Sequence, residues 1–184
     1  QEKPIVEELE YTYEQLLLER NYIEKVFKFH HILTESVSKG INLVELAQIV
    51  HDLLGIPVAI DDLSFHPIAL SGITESEYEN IKTDFLQVLK TYYPQEEKLP
   101  VIRKTKKLTG DKQIRLITPI DVQNTILGYC SFIYQDELDE KSENDSMFLE
   151  RFANAASLIL LKEKTSFELI EKLKGNFLEQ LLKG

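Results

Sequence analysis

The stretch LITPIDVQNTILGYCSFIY, Leu116–Tyr134, decides the fold class of this chain. Its second half, Thr125–Tyr134, is almost wholly apolar, which is typical of a strand at the centre of a sheet. We expect the preceding strand to begin at Gln113, and a turn at Thr109–Asp111 to join it to another strand over Leu99–Lys104. Successive hairpins of this kind predict an antiparallel sheet.

Upstream of this stretch, the pattern predicts another hairpin and then a helix. Ile56–Ile60 and Pro67–Gly72 are short apolar runs, joined by a turn at Asp62–His66. A capping box that starts at Thr74 opens a helix that we expect to reach Tyr93. The hairpin and the helix complete the central part of the domain.

Long helical patterns flank this central part. Apolar residues recur at helical spacing from about residue 5 to 38, Gly40 is a plausible stop, and Asn42 caps a second helix that ends at Gly55. Beyond an acidic loop at Gln135–Asp145, two further helices with apolar stripes are expected to follow one another to the end of the chain. Such stripes need burial against the same domain, a partner chain or a following domain.

The predicted order is therefore α-α-β-β-α-β-β-β-α-α. It indicates an α+β fold of the GAF/PAS type: an antiparallel sheet with helices on both faces and long N- and C-terminal flanking helices. We expect an N-terminal dimerisation helix over residues 1–40, a sensor domain over 41–164 and a C-terminal signalling helix over 165–184.

Composition excludes several classes of protein. With 184 residues and 43% hydrophobic content, the chain has enough apolar material for one well-buried domain, and its net charge of -10 argues against nucleic-acid or anionic-membrane binding. No apolar run is long enough to cross a bilayer, so no membrane contact is expected. The single cysteine, Cys130, favours a reducing, cytoplasmic location. Because the first residue is Gln1 and not Met, we expect a piece of a longer or processed protein.

Motifs of catalysis and of metal binding are missing from the sequence. There is no G-x-S-x-G, P-loop, G-x-G-x-x-G or H-E-x-x-H pattern, so we expect no enzyme activity, no cofactor and no metal. Cys130 lies in the apolar central strand and is expected to be a buried, unreactive thiol. Structural or solvent-exposed roles are expected for the four histidines, His30, His31, His51 and His66.

A basic cluster stands out in this acidic chain. It comprises Arg103, Lys104, Lys106, Lys107, Lys112 and Arg115. One interpretation is a solvated hairpin tip that balances acidic neighbours. The other is a positive rim on a ligand pocket, where Arg103 or Arg115 would bind a carboxylate or a phosphate.

We expect such a pocket between the sheet and the helix that starts at Thr74. Polar side chains on apolar strands are the best indicators, because a buried hydroxyl needs a partner. Such a residue is more often a satisfied sheet residue than a ligand contact, and the pocket could be filled by side chains and bind nothing. The expected ligand-binding residues are Ser71, Arg103, Arg115, Thr118, Tyr129 and Ser131.

Three segments resemble a known family. Leu116–Ile120 and Ile126–Tyr129 resemble the closing hairpin of GAF domains, and Phe148–Ala156 resembles their C-terminal helix. The final segment, Gly175–Gly184, is similar to the GDFL-x-x-LL-x-G segment of PucR/CdaR-type bacterial transcriptional regulators. The resemblance implies a region that senses a small-molecule effector and forms a homodimer, and the basic cluster would suit an anionic effector. It also implies a DNA-binding helix-turn-helix beyond residue 184, so this chain itself would bind no nucleic acid.

Two interpretations of function therefore stay open. In the first, effector binding changes the setting of paired flanking helices. In the second, the domain is a ligand-free dimerisation spacer. Leu9, Leu16 and Ile23 keep a heptad spacing, but the alternate heptad positions are only half apolar. A four-helix seam, to which both flanking helices of each copy contribute, therefore fits better than a simple coiled coil.

Overall fold

The computed structural model describes residues 3–135 and 145–183, and residues 136–144 of the predicted acidic loop lie outside this range. The helices are α1 (Lys3–Ser38), α2 (Leu43–Leu54), α3 (Glu75–Tyr92) and α4 (Ser146–Lys183). The strands are β1 (Val58–Asp62), β2 (Pro67–Ser71), β3 (Lys106–Thr109), β4 (Ile114–Val122) and β5 (Thr125–Tyr134). The α+β class with long terminal helices is confirmed.

The five strands form one antiparallel sheet in the order β2-β1-β5-β4-β3. β5 lies in the middle, as its continuous apolar sequence predicts. It pairs with β1, where Ser131 is opposite Ala59, and with β4, where Ser131 is opposite Ile117. Nearly every residue of its second half is buried, so each face of the sheet needs a helical cover.

The two faces of the sheet are covered by different helices. Side chains alternate along β5, so Cys130 and Phe132 belong to the core beneath α1, α2 and α4. Tyr129 and Ile133 point to the opposite face, where α3 contributes Tyr78 and Phe85. The sheet is thus sandwiched between three helices on one side and one on the other.

Local signals end and begin the helices as the sequence indicates. Asn42 accepts a hydrogen bond from the backbone N–H of Glu45, whose side chain accepts one in return, and this completes a capping box. Gly55 closes α2 in the left-handed conformation with φ of 69°. Thr74 caps α3 through the backbone N–H of Glu77.

Two predictions about the elements are wrong. Leu99–Lys104 is not a strand, and the edge strand is β3 instead. In the irregular segment, Ile102 is buried and donates its backbone N–H to the hydroxyl of Tyr129 at 3.1 Å. A side chain thus provides the acceptor that a neighbouring strand would otherwise provide.

The two predicted terminal helices are one continuous helix, because no Gly or Pro interrupts the chain between Ser146 and Gly175.

The two long helices, α1 and α4, run side by side in the same direction. Phe29 of α1 packs edge-on against Phe148 of α4 at 5.2 Å between ring centroids, and the end of α1 at Val37 shares a groove with Ile159. Residues 3–21 and 162–183 are exposed throughout. The helices therefore project beyond the domain at opposite ends, by roughly 30 Å each at 1.5 Å per residue. The expected regional boundary at 164/165 falls inside α4 and stays a prediction.

Within the described residues, no helix is long and apolar enough to cross a membrane. The same residues contain no cluster of three or more His, Cys, Asp or Glu side chains that could hold a metal ion.

A glycine in the central strand offers a test of the sheet packing. A methyl group at Gly128 would lie 2.2 Å from the carbonyl oxygen of Asp61 on β1, whereas one at Gly175 in α4 would meet nothing within 4 Å. We expect Gly128→Ala to lower the free energy of unfolding by about 1–3 kcal/mol or more, because the strands must separate to admit the methyl group.

Gly175→Ala is the matched control, and it should raise stability by about 0.8–1 kcal/mol because alanine favours the helix. Urea unfolding followed by circular dichroism measures both changes. Equal effects of the two substitutions would contradict the close approach of β1 and β5.

Candidate functional site

A buried ion pair lies between the sheet and α3. Arg115 on β4 and Asp61 on β1 project from the same face, on either side of the central strand, and both side chains are fully buried. The Nη1 atom of Arg115 is 3.8 Å from Oδ2 of Asp61. Tyr78 of α3 donates its hydroxyl to Oδ1 of Asp61 at 2.7 Å and accepts from Nη1 of Arg115 at 3.3 Å. The helix is thereby joined to both charges.

Further contacts hold the guanidinium of Arg115 in place. Its Nε and Nη2 atoms donate to Oε1 of Gln113 at 3.3 and 3.2 Å. Gln113 in turn donates to the carbonyl oxygen of Ile81 in α3 at 2.6 Å. The guanidinium carbon lies 3.8 Å from the centre of the Phe85 ring, a distance typical of a cation–π contact. Arg115 is therefore a buried core group in this conformation.

Burial changes the acidity of the groups around this pair. Desolvation raises the pKa of Asp61 above its usual value, although Arg115 and the Tyr78 hydroxyl act in the opposite direction. Desolvation likewise raises the pKa of the Tyr78 hydroxyl, so this group is a neutral donor at neutral pH. On the other face of the sheet, burial raises the pKa of the Cys130 thiol well above normal, which agrees with an unreactive cysteine.

Two buried oxygen atoms near the pair have no hydrogen-bond partner among the described residues. They are Oδ2 of Asp61 and Oγ of Ser131. Ser131 pairs with Ala59, two residues before Asp61, so both side chains lie on the face that α3 covers. Buried polar atoms without a partner are uncommon in proteins, which makes this region the strongest candidate for a ligand-binding site.

Tyr129 borders the same interior. Its ring stacks on Phe65 with centroids 5.0 Å apart, and its hydroxyl accepts the backbone N–H of Ile102. Of the six predicted site residues, Arg115, Tyr129 and Ser131 thus lie on the α3 face of the sheet. Side chains fill this interior, and Arg115, Tyr78 and Tyr129 are its largest fully buried residues.

The other three predicted residues lie elsewhere, which corrects the expectation of one shared pocket. Ser71 faces α2 and donates to Gln48 at 3.4 Å. Thr118 points toward α4 and bonds Thr105 at 2.9 Å. Arg103 is exposed and lines an open groove of about 520 Å³ with Thr118. Thr118 lies three positions after Arg115 on β4. Since side chains alternate between the two faces of a strand, the two residues lie on opposite faces of the sheet and could not share one pocket.

The basic cluster is divided in the same way. Arg115 is buried, whereas Arg103, Lys104, Lys107 and Lys112 are exposed. Four of the six cations thus match the interpretation of a solvated surface, and only Arg115 reaches the interior.

Sequence reasoning missed three members of the site: Asp61, Tyr78 and Gln113. The predicted strand ends at Ile60, directly before Asp61, but β1 continues through Asp61 and Asp62. The available signal was the position of Asp61, an acidic residue that directly follows the apolar run ending at Ile60 and could therefore extend the predicted strand. Tyr78 and Gln113 carried no signal, since their role depends on the packing of α3 over the sheet.

No family model matches this chain, and no curated protein matches it. Several solved structures of GAF domains are similar to it. The GAF domain of an Acinetobacter phosphoenolpyruvate-protein phosphotransferase is 10% identical with a TM-score of 0.44, over 73% of this chain and 92% of that one. The corresponding Coxiella burnetii domain is 14% identical with a TM-score of 0.47, over 78% and 97%.

The cofactor-binding GAF domain of the nutrient sensor CodY from Clostridium difficile is 16% identical with a TM-score of 0.38, over 70% of this chain and 95% of that one. Similarities of this size say nothing about the ligand or partner of this chain. Its function has to be inferred from its own residues.

The energetic coupling of the buried pair can be measured directly. Asp61→Asn or Arg115→Met alone should each lower the free energy of unfolding by about 3–5 kcal/mol, because each leaves the opposite charge buried without its partner. The double variant should lose less than the sum of the two, by roughly 1–3 kcal/mol. Urea unfolding of the four proteins gives this coupling energy, and strictly additive losses would show that the two charges do not interact.

Proposed function

We propose that this chain is the sensory and dimerising region of a bacterial transcriptional regulator of the PucR/CdaR type. A small effector would enter the interior between the sheet and α3 and change the setting of the long helices. The change would pass along α4 to a DNA-binding module. The proposal is supported chiefly by one observation: α1 and α4 pack in parallel on the domain and project from opposite ends with exposed apolar side chains.

The projecting part of α4 has the pattern of an interface. Ile170, Leu173, Phe177 and Leu181 are each more than half exposed and lie within about 80° of one another around the helix. Burial of such a stripe contributes about 1.5–3 kcal/mol for each side chain. A second copy of the chain is the simplest cover, because two-fold association brings identical stripes together.

The central strand provides a short physical connection between the interior and α4. Ser131 of β5 faces the interior, and its neighbour Phe132 faces the other side of the sheet. There Phe132 stacks on Phe152 of α4 with centroids 6.2 Å apart. A ligand that binds one setting of β5 more tightly than another would thus also bias the position of α4.

A second candidate function is a ligand-free dimerisation spacer. It is favoured by the interior as the structure has it, because Arg115 is fully buried and stacked on Phe85. In this alternative, the helices still pair, but no effector enters. The two candidates share the dimer and differ in whether the interior opens.

The dimer interface is tested by charge substitution on the projecting part of α4. The double variant Leu173→Glu/Phe177→Glu should raise the dimer dissociation constant by at least about 100-fold, since two buried apolar contacts per chain are lost. Sedimentation equilibrium measures the constant, and circular dichroism verifies that the helix is retained.

Lys172→Glu is the matched control, because it adds the same side chain on the opposite side of the helix. It should leave the dimer intact. A monomeric parent chain, or a dimer unaffected by the double variant, would contradict this interface.

Effector binding is tested by a thermal-shift screen against purine-pathway metabolites, sugar diacids, amino acids and nucleotides. A ligand at 100-fold over its dissociation constant adds about 2.7 kcal/mol of stability, which shifts the melting temperature by several degrees. Arg115→Met should abolish the shift relative to its own baseline, whereas Arg103→Ala, which alters the separate groove, should preserve it. A flat screen would favour the spacer function.

A further inference from the structure

The polar groups beneath α3 are incompletely satisfied. The guanidinium of Arg115 reaches its partners at 3.2–3.8 Å, whereas charge-assisted bonds are ordinarily about 2.7–2.9 Å. The carboxylate of Asp61 has one good bond, from Tyr78, and its Oδ2 atom has none among the described residues. A buried ion pair at this separation is weakly compensated for the water that both charges have lost.

Asp61 and Arg115 lack opposite kinds of hydrogen-bond partner. Oδ2 of Asp61 accepts and therefore needs a donor, while Arg115 donates and needs a better acceptor. Oγ of Ser131 has no partner within the part of the chain that the structure describes, and it lies diagonally across from Asp61 on the neighbouring strand. Diagonal neighbours in a sheet are about 7–8 Å apart, so the two oxygens face the same part of the interior.

Charge balance limits what this interior can accept. The site is neutral as long as Asp61 and Arg115 are both ionised. A ligand with only a carboxylate or phosphate would leave the buried site with a net negative charge beside Asp61, and a ligand with only an amine would leave a net positive charge. Either excess is costly in a buried interior. A ligand that carries one charge of each sign preserves neutrality and gives each protein charge a closer partner.

We propose that the interior beneath α3 binds a zwitterion of the amino-acid type, with its ammonium group on Asp61 and Ser131 and its carboxylate on Arg115. The remainder of the ligand would be apolar, because Phe85 and Ile133 are its neighbours on this face. This inference rests on the proposed function, since it takes the same interior as the effector site. It replaces the expectation of a simple anion with a ligand that bears both charges.

The experiment compares matched ligands on the unaltered chain by thermal shift and isothermal titration calorimetry. Each common amino acid is tested beside its deamino acid, which keeps only the carboxylate, and its decarboxylated amine, which keeps only the ammonium. At least one amino acid should bind, with an affinity at least about 100-fold above both of its analogues. That ratio corresponds to roughly 2.8 kcal/mol, the order expected for one buried charge-assisted contact.

Substitutions then test which protein group binds each end of the ligand. Asp61→Asn should weaken the binding of the amino acid and strengthen the binding of the deamino acid, because the repulsion between Asp61 and the added carboxylate is removed. Ser131→Ala is the milder change, because it keeps both charges. It should weaken the affinity for the amino acid roughly tenfold, because one hydrogen bond to the ammonium group is removed. Arg103→Ala should change neither affinity.

The possible failures are distinguishable. If a metabolite without an amine binds and Arg115→Met abolishes its binding, the sensor function stands and the zwitterion proposal is overturned. Amino-acid binding that is indifferent to both Asp61→Asn and Ser131→Ala also overturns the zwitterion proposal, because the ligand then lies elsewhere. If no compound of any class binds, both the sensor function and the zwitterion proposal are overturned, and the spacer function takes their place.

Discussion

Burial of β5 on both faces is the constraint on which this structure depends. An apolar strand in the middle of a sheet exposes nothing to water, so each face must be covered by helices. One face receives α1, α2 and α4, and the other receives α3. The missing side chain of Gly128 permits the close approach of β5 to the backbone of β1. The alternation of side chains assigns each neighbouring residue to one core or the other.

The core beneath α3 is unlike the one beneath α4. Beneath α4, aromatic and aliphatic side chains pack directly on the strands, as Phe152 does on Phe132. Beneath α3, the contact is made through Tyr78, Gln113 and the buried pair of Arg115 and Asp61. Apolar side chains of similar volume would stabilise this layer at least as well. Stability alone therefore does not explain the polar layer.

The position of β5 connects this polar layer to the long helices. Adjacent residues of one strand contact the interior on one side and α4 on the other, so no long chain of contacts is needed between them. Because α1 and α4 pack in parallel, the chain enters the domain at one end and leaves it at the other. This geometry suits a region that transmits a change along its length, and it serves a spacer equally well.

The class of the fold, the central strand and most helix boundaries could be predicted from the sequence. These features are local: Asn42, Gly55 and Thr74 act on their own backbone, and the apolar run of β5 is read from consecutive residues. The sequence did not determine the edge strand, because the chain around Ile102 is held by a distant side chain, Tyr129. Of the residues that line the candidate site, it predicted Arg115, Tyr129 and Ser131.

The packed structure was needed to show that Arg103 and Thr118 lie apart from Arg115, and that Asp61 and Tyr78 complete the buried network. The physical reason is that a side chain's face and partners depend on which strands become neighbours and which helix covers them. Strand pairing joins residues far apart in the chain, such as Asp61 and Arg115. No local sequence pattern predicts this contact, whereas helix propensity, capping and periodicity can be recognised within each segment.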